Sequence, residues 1–390
     1  MTMMAPPPLA ADADELLFAS DDLIVRRVGA NTGALCYVTF DSYTDDRRLD
    51  RPGFGEGFFR SRDIPAIHVL SRDNHWYQYD ELPGVLAAVA AATGGYAQVV
   101  AYGSSMGGFA ALHFGSACGA SLGIAISPQF SLDPTVVPFE RRWSADVPHI
   151  RFQDHDFAPL PRQYILYDPL DPFDRQHFAL FAARSPTIGL ALPHGGHPVG
   201  GLVSDAGMFE PMFAAILGGT LDPHAFTRAV RDRRRTSGQY LFTVAHRVPL
   251  YRARQKVALA RMAVATQPDN AGYVTHLAVI LDQVGDAAGA RDMHHRAVSL
   301  SAGGLQARYN LLRHHLALGE LDAARDLAEA LIAAHPGVPM LEEAHAYVRQ
   351  CRRRARPLGR LARLMRLEKL VDRVARSLSP AGFRNAAVTR

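Results

Sequence analysis

Short apolar runs alternate with helix-like segments over roughly the first half of the chain. Runs of this length that are rich in β-branched and aromatic residues are typical of strands buried on both faces. The predicted strands are Leu16–Phe18, Leu23–Val28, Ala34–Phe40, Ala66–Leu70, Ala97–Tyr102, Leu122–Ile126, Gln163–Tyr167 and Thr187–Leu192. Because strands that alternate with helices form a parallel sheet, we expect an α/β, doubly wound and mostly parallel sheet.

The pattern changes to helices alone beyond Gly218, and it repeats with a period of 34 residues. Leu277 recurs as Leu311, and the run from Ala290 to Asp292 recurs as the run from Ala324 to Asp326. A helix–turn–helix unit of this period resembles the tetratricopeptide (TPR) repeat. The resemblance implies two repeats, 270–303 and 304–337, that present a groove to a protein partner. A purely structural helical appendage is the alternative.

A chain of 390 residues is too long for one ordinary core, so two domains are expected. We predict a catalytic α/β domain over 1–217 and a helical connection over 218–256. An all-α, TPR-like domain follows over 257–350, and a basic tail covers 351–390.

Composition favours a soluble globular protein, since 48% of the residues are hydrophobic and 21% are charged. The three cysteines, Cys36, Cys118 and Cys351, are too far apart in sequence for a disulfide framework, which favours a reducing compartment. The first 17 residues lack the pattern of a signal peptide, and no apolar run is long enough to span a membrane. These observations predict a cytoplasmic protein.

Positive charge is concentrated at the C-terminal end. Residues 351–390 carry twelve Lys and Arg against two Asp and Glu, whereas the whole chain carries 42 against 38. Leucines and valines recur at intervals of three and four from Leu358 to Leu378, which predicts a basic amphipathic helix. This helix either caps the repeats or lies on an anionic membrane surface. No recognised nucleic-acid module accompanies the charge, so nucleic acid is not an expected partner.

The segment from Gly103 to Gly107 reads G-x-S-x-G, with Ser105 at its centre. It follows an apolar strand and precedes a helix rich in small residues, the context in which this pattern forms a nucleophile elbow. The tight turn exposes the serine hydroxyl and directs the first helical N–H groups at an oxyanion forming there. Ser105 is therefore the candidate nucleophile.

The order of Ser105, Asp171 and His197 resembles that of the α/β-hydrolase superfamily, over about residues 14–217. The family places nucleophile, acid and histidine on loops after successive strands. The resemblance implies a catalytic triad of these three residues. It also implies an esterase-type activity that passes through an acyl-enzyme on Ser105.

Alternatives remain for two members of this triad. Asp168 and Asp174 follow the same strand as Asp171, Asp168 as a brace of the turn and Asp174 at the start of the next helix. His194 is the alternative to His197 as the base, since both follow the last strand in a Gly-containing turn.

The resemblance also implies an oxyanion hole of two backbone N–H groups. Met106, directly after the nucleophile, supplies one. The loop after Phe40 supplies the other, from Ser42 or Tyr43. The family's usual His-Gly is absent from this loop, where Asp41 and Ser42 stand instead.

No metal or cofactor is expected, because neither a zinc-binding motif nor a dinucleotide or P-loop motif occurs. The adjacent pairs His294-His295 and His314-His315 are expected on helix surfaces, since neighbouring helical residues face different ways. The long, proline-containing segment 128–161 is expected to be a lid or a specificity insertion.

The leading prediction is a serine hydrolase acting on a small-molecule or glycan ester, with a TPR-like domain for a partner. An acyltransferase that uses the same triad on a sugar or other hydroxyl is the second hypothesis. A catalytically inactive scaffold that acts through the repeats is the third.

Overall fold

The residues that the structure describes, 14–44, 46–152 and 158–354 of a computed structural model, include eight strands that form one sheet. These strands are β1 Glu15–Ala19, β2 Leu23–Val28, β3 Gly33–Phe40, β4 Ala66–Ser71, β5 Tyr96–Ser104, β6 Leu122–Ile126, β7 Arg162–Tyr167 and β8 Thr187–Ala191. Their order in the sheet is β1-β2-β4-β3-β5-β6-β7-β8. The strands from β3 to β8 run parallel, whereas β2 is antiparallel to both β1 and β4. The predicted mostly parallel sheet is confirmed.

Seven helices accompany the sheet within the described part of residues 14–233. They are α1 Glu56–Arg60, α2 Leu82–Thr93, α3 Met106–Phe114, α4 Pro172–Arg184, α5 Gly200–Asp205, α6 Phe209–Leu217 and α7 Pro223–Arg233. Every residue of α3 is buried, which explains why this helix is built almost entirely from apolar and small residues. It lies against β3, β5 and β6, the strands at the centre of the sheet.

In the sheet, β4 lies on one side of β3 and β5 lies on its other side. The direction in which strands are added therefore reverses between β3 and β5. Phe40 pairs with Gly103, and the carboxyl ends of these two strands are therefore neighbours. Ligands of open parallel sheets bind at such switch points. Ser105 follows β5 at this edge.

A second unit of the chain begins at Arg234, and its described residues form helices and connecting turns, with no strand among them. Its helices are α8 Gly238–Arg247, α9 Ala253–Thr266, α10 Ala271–Val284, α11 Ala287–Leu300, α12 Leu305–Leu318, α13 Leu321–Ala334 and α14 Pro339–Arg354. Those labelled α9, α11 and α13 begin 34 residues apart, and so do those labelled α10, α12 and α14. Gly285 and Gly319 end equivalent helices with φ of 84° and 74°, a conformation that glycine adopts without strain. An all-α region after the α/β region is thus confirmed.

The two units divide between Arg233 and Arg234, inside the segment 218–256 that was predicted to connect them. The predicted amphipathic helix, Leu358–Leu378, lies outside the described residues. Among the residues that are described, none of the helices is both long enough and apolar enough to cross a bilayer.

One expectation about the helical region is wrong. His294 and His314 are each only 1% exposed, although both were expected on helix surfaces. Each points between neighbouring helices rather than into solvent, because α10, α11 and α12 contact one another. His315 is also buried, at 8% exposure, whereas His295 is exposed as expected.

Candidate active site

Ser105 occupies a strained turn between β5 and α3, with φ of 52° and ψ of −115°. A Cβ atom on Gly103 would come within 2.2 Å of the Gly107 carbonyl oxygen, and one on Gly107 within 2.1 Å of the Phe40 carbonyl oxygen. Only glycine fits at these two positions, which is the physical basis of the G-x-S-x-G pattern. Unfavourable backbone geometry that the surroundings enforce is typical of functional sites.

His197 is the histidine that contacts this serine. It lies in the loop after β8, and its Nε2 is 2.9 Å from Ser105 Oγ. Both side chains are at least nine-tenths buried, since the two residues are 5% and 6% exposed. His194, the alternative base, instead donates its backbone N–H to Asp168 Oδ1.

The carboxylate beside His197 belongs to Asp174, not to Asp171. Asp174 Oδ1 is 2.6 Å from His197 Nδ1, whereas Asp171 accepts hydrogen bonds from the backbone N–H groups of Phe173 and Asp174 at 2.9 and 3.1 Å. Asp171 is thus the N-cap of α4, and the expectation that it orients His197 is wrong. The signal was present in the sequence, because an aspartate directly before Pro172 is a typical helix start.

Asp168 braces the turn after β7, the role given for it as an alternative in the sequence analysis. Its carboxylate accepts backbone N–H groups from Leu170, His194 and Gly196, at 2.9, 3.2 and 2.9 Å. The residue is fully buried at 0% exposure. Asp168 therefore joins the loop after β7, which leads to Asp174, to the loop that carries His197.

The protonation of His197 follows from its neighbours. An ionised carboxylate only accepts, so His197 Nδ1 carries the proton that it donates to Asp174. The Nε2 atom then presents its lone pair to Ser105 Oγ, as a general base requires.

Sequence reasoning missed Arg142, a buried arginine from the segment 128–161. Its Nη1 donates to Asp174 Oδ1 at 2.9 Å, and its Nη2 donates to Glu140 at 2.6 Å. Arg142 Nη1 also lies 3.3 Å from His197 Nδ1, because both nitrogens donate to the same oxygen of Asp174. Burial acts to lower the pKa of Arg142, but Asp174 and Glu140 outweigh it and hold that pKa well above its usual value.

Glu140 and His177 complete this charged group, because Glu140 accepts hydrogen bonds from both Arg142 and His177. His177 Nδ1 accepts the Phe130 backbone N–H at 3.0 Å, so its Nε2 carries the proton donated to Glu140 at 2.9 Å. Burial acts to raise the pKa of Glu140, but hydrogen bonds from His177 and Arg142 hold it at about 2. Glu140 is therefore ionised and fixes the guanidinium of Arg142 against Asp174.

Gln129 is a second residue that sequence reasoning missed. Its Nε2 donates to Ser105 Oγ at 3.1 Å, and its Oε1 accepts the indole N–H of Trp76 at 3.1 Å. Because Trp76 can only donate, this pair of contacts fixes which end of the amide faces Ser105. Gln129 and Trp76 are both 0% exposed. No local motif marks Gln129, since only the fold brings the loop after β6 to the nucleophile.

The two expected oxyanion donors stand close to the elbow. Met106 is the first residue of α3, where helix geometry leaves the backbone N–H without an intrahelical acceptor. Ser42 Oγ donates to the Ser104 carbonyl oxygen at 3.0 Å, which attaches the loop after β3 to the residue before the nucleophile. The roles of both N–H groups stay predictions.

No family model matches the chain, and no curated relative matches it. Solved structures resemble it weakly. An α/β serine hydrolase without a lid from Xanthomonas campestris has a TM-score of 0.30 at 13% identity, covering 59% of this chain and 97% of that one. The capsule O-acetyltransferase of Neisseria meningitidis serogroup A has a TM-score of 0.36 at 13% identity, covering 52% and 93%. The protein MamA MSR-1 C2 has a TM-score of 0.27 at 19% identity, covering 44% and 94%.

Proposed function

We propose that this protein is a serine hydrolase of the α/β-hydrolase type, which cleaves an acyl ester through an acyl-enzyme on Ser105. The observation that carries the proposal is the continuous hydrogen-bonded path from Ser105 Oγ through His197 to Asp174, with steps of 2.9 and 2.6 Å. The path lies at the switch point of a parallel sheet, on a strained elbow. An inactive scaffold has no need of this arrangement.

In the first half-reaction, His197 Nε2 takes the proton of Ser105 as Oγ attacks the ester carbonyl carbon. Asp174 stabilises the imidazolium that forms, and His197 then gives its proton to the departing alcohol. In the second half-reaction, water deprotonated by His197 attacks the acyl-enzyme and releases the acid and Ser105. An acceptor hydroxyl in place of water gives acyl transfer by the same steps.

The tetrahedral intermediate carries negative charge on the former carbonyl oxygen, which requires preorganised donors. We propose that the Met106 N–H and the Nε2 of Gln129 supply them. Support for Gln129 comes from its position beside Ser105 Oγ and from the indole of Trp76 that holds it. A side-chain amide of this kind compensates for the family's missing His-Gly in the loop after β3.

Active-site labelling tests the hydrolase proposal. A fluorophosphonate probe should modify the full chain at Ser105, and mass spectrometry of the peptides should locate it there. Incubation with p-nitrophenyl acetate, followed by product analysis with and without a sugar acceptor, then separates hydrolysis from transfer. Labelling at another serine, or none, contradicts the proposal.

For the helical unit we propose TPR-like repeats that bind a protein partner. The proposal rests on helices that begin at intervals of 34 residues and on the glycines that end α10 and α12. In-cell photo-crosslinking from Met262, 49% exposed on α9, should recover one recurrent protein. The matched control is Leu170, 50% exposed in the α/β unit, from which that protein should not be recovered. Equal recovery from both positions contradicts the proposal.

A further inference from the structure

Three side chains from three helices of the second unit meet at one point. Asp282 is in the last turn of α10, His294 is in α11 and His314 is in α12. Asp282 Oδ2 is 2.8 Å from His294 Nε2, and Asp282 Oδ1 is 2.6 Å from His314 Nδ1. One potential ligand atom from each residue lies within 4.8 Å of the other two. We call these residues the His-Asp-His cluster.

The remaining ring nitrogens of the cluster have no hydrogen-bond partner. Since a carboxylate only accepts, each ring donates its N–H to Asp282, and His294 Nδ1 and His314 Nε2 are left as buried lone pairs. Each of these two nitrogens can take up a proton, which frees the ring nitrogen that faces Asp282 to act as a metal ligand.

We propose that the His-Asp-His cluster binds a divalent transition-metal ion of the zinc class. The ligands are His294 Nε2, His314 Nδ1 and the carboxylate of Asp282, and two imidazoles with one carboxylate are a donor set that Zn²⁺ accepts. The carboxylate contributes one negative charge to an otherwise neutral donor set. Asp282 is 28% exposed, which leaves solvent access for a water as a further ligand.

Binding requires the three side chains to rearrange. Tetrahedral ligands at about 2.0 Å from zinc lie about 3.3 Å apart, so the two nitrogen–oxygen pairs open from 2.8 and 2.6 Å, while the two ring nitrogens, which lie within 4.8 Å of each other, settle at a similar spacing. Each ring moves its proton from the ligating nitrogen to the other nitrogen, and no proton leaves the site. Because His294 Nδ1 and His314 Nε2 have no partner, this shift breaks no other hydrogen bond.

The position of the cluster gives the ion a structural role. It joins α10 and α11, which form one helical pair, to α12, the first helix of the next pair. An ion that binds the folded state alone raises the free energy of unfolding. The bound ion therefore stabilises the boundary between two successive pairs.

Zinc titration of the full chain, freed of metal with EDTA and dialysed, tests the proposal. Calorimetry should show one strong site per chain, and the melting temperature should rise by several degrees at Zn²⁺ well above Kd. Asp282→Asn is the main variant, because an amide can still accept from one ring and donate to the other. Its affinity for Zn²⁺ should fall by about a hundredfold or more. His295→Ala, which removes an exposed neighbouring histidine, should bind as the parent does.

Unchanged affinity in Asp282→Asn would show that the ion binds elsewhere, and it overturns the proposal. Should this variant fail to fold, the visible absorption spectrum of Co²⁺ added to the parent chain tests the proposal instead. Four-coordinate Co²⁺ absorbs strongly in the visible range, whereas hexa-aqua Co²⁺ absorbs weakly. A weak spectrum, or no rise in melting temperature with Zn²⁺, also overturns it.

Discussion

Asp174 Oδ1 accepts a hydrogen bond from His197 Nδ1 at 2.6 Å, although Asp174 lies in the first turn of a helix rather than in a loop. Asp171, three residues earlier, caps that helix. The cap marks where α4 begins, and Asp174 itself is held by Arg142 and His197. One aspartate thus positions the helix and the other contacts the histidine.

Asp174→Asn should reduce turnover by up to about ten-thousandfold, because an amide no longer holds the imidazole in the required tautomer. Asp171→Ala is the matched variant. It should keep most turnover and lose about 0.5–2 kcal/mol of unfolding free energy with its cap. Turnover and denaturant unfolding, measured for both, check the assignment. Loss of turnover in Asp171→Ala with an active Asp174→Asn would reverse the two roles.

Ser105→Ala should abolish fluorophosphonate labelling and lower ester cleavage by about a thousandfold or more, because the nucleophile is gone. Labelling kinetics and p-nitrophenyl acetate turnover measure this. Ser104→Ala, at the adjacent position, should still be labelled. A Ser105→Ala protein that is labelled at the parent's rate would place the nucleophile elsewhere.

Gln129→Leu should lower kcat by about 10²–10³ with little change in KM, because the amide acts mainly on the oxyanion. Trp76→Phe should give a smaller fall in the same direction, since it removes only the N–H that orients Gln129. Steady-state kinetics on one ester substrate provide both values. A folded Gln129→Leu protein with full turnover would show that the amide merely fills space.

Glu140 makes a pH-dependent contribution to stability. Its pKa is held at about 2, below the ordinary 4.5, so its stabilisation is present above pH 4.5 and is lost as pH falls from there towards 2. At pH 7, Glu140→Gln should reduce the free energy of unfolding by about 3–5 kcal/mol, because it breaks a buried ion pair.

Denaturant unfolding of the parent and Glu140→Gln at pH 7 and pH 3 measures this difference, which should shrink at the lower pH. Glu329→Gln, at an exposed glutamate, is the control and should differ little from the parent at either pH. If the difference in free energy of unfolding between the parent and Glu140→Gln were larger at pH 3 than at pH 7, the proposed role of Glu140 would be wrong.

The boundary between the units predicts which fragment is stable. Residues 1–233 should fold alone and cleave esters, because α7 belongs to the first unit and contacts β8. Residues 1–217 lack α7, and with it Phe226 and Val230, which are 5% and 0% exposed. This shorter fragment should melt at a lower temperature. Equal melting temperatures would show that α7 adds nothing to the α/β unit.

The fold was largely readable because its signals are local. Buried parallel strands are short apolar runs, and the helical unit repeats with a fixed period, so class and order follow from the pattern. Helix ends and the boundary between the units depend on contacts between distant segments. Helix α7 is an example, since its contact with β8 has no local signal in the sequence.

Residues of the candidate site could be predicted from the sequence only where a local motif marks them. Ser105 is marked by its glycines, and His197 by its place after the last strand. Three aspartates follow β7. Which of them contacts His197 depends on which one caps α4, and counting residues from the end of the strand does not reveal this. Arg142 and Gln129 come from an irregular segment that has no periodicity, and only the folded chain brings them to Ser105 and Asp174.

The segment 128–161 has a consequence for any attempt to change the specificity of this protein by grafting loops. It was expected to be a lid or a specificity insertion, yet it also carries Gln129, which contacts Ser105, and Arg142, which contacts Asp174. Glu140, in the same segment, holds the guanidinium of Arg142. Replacing the whole segment would remove Arg142, the counter-ion of Asp174, and Gln129, whose amide contacts Ser105. A transplanted loop would have to bring its own cation and its own amide, so point substitutions at other positions of the segment are the safer route to a new substrate.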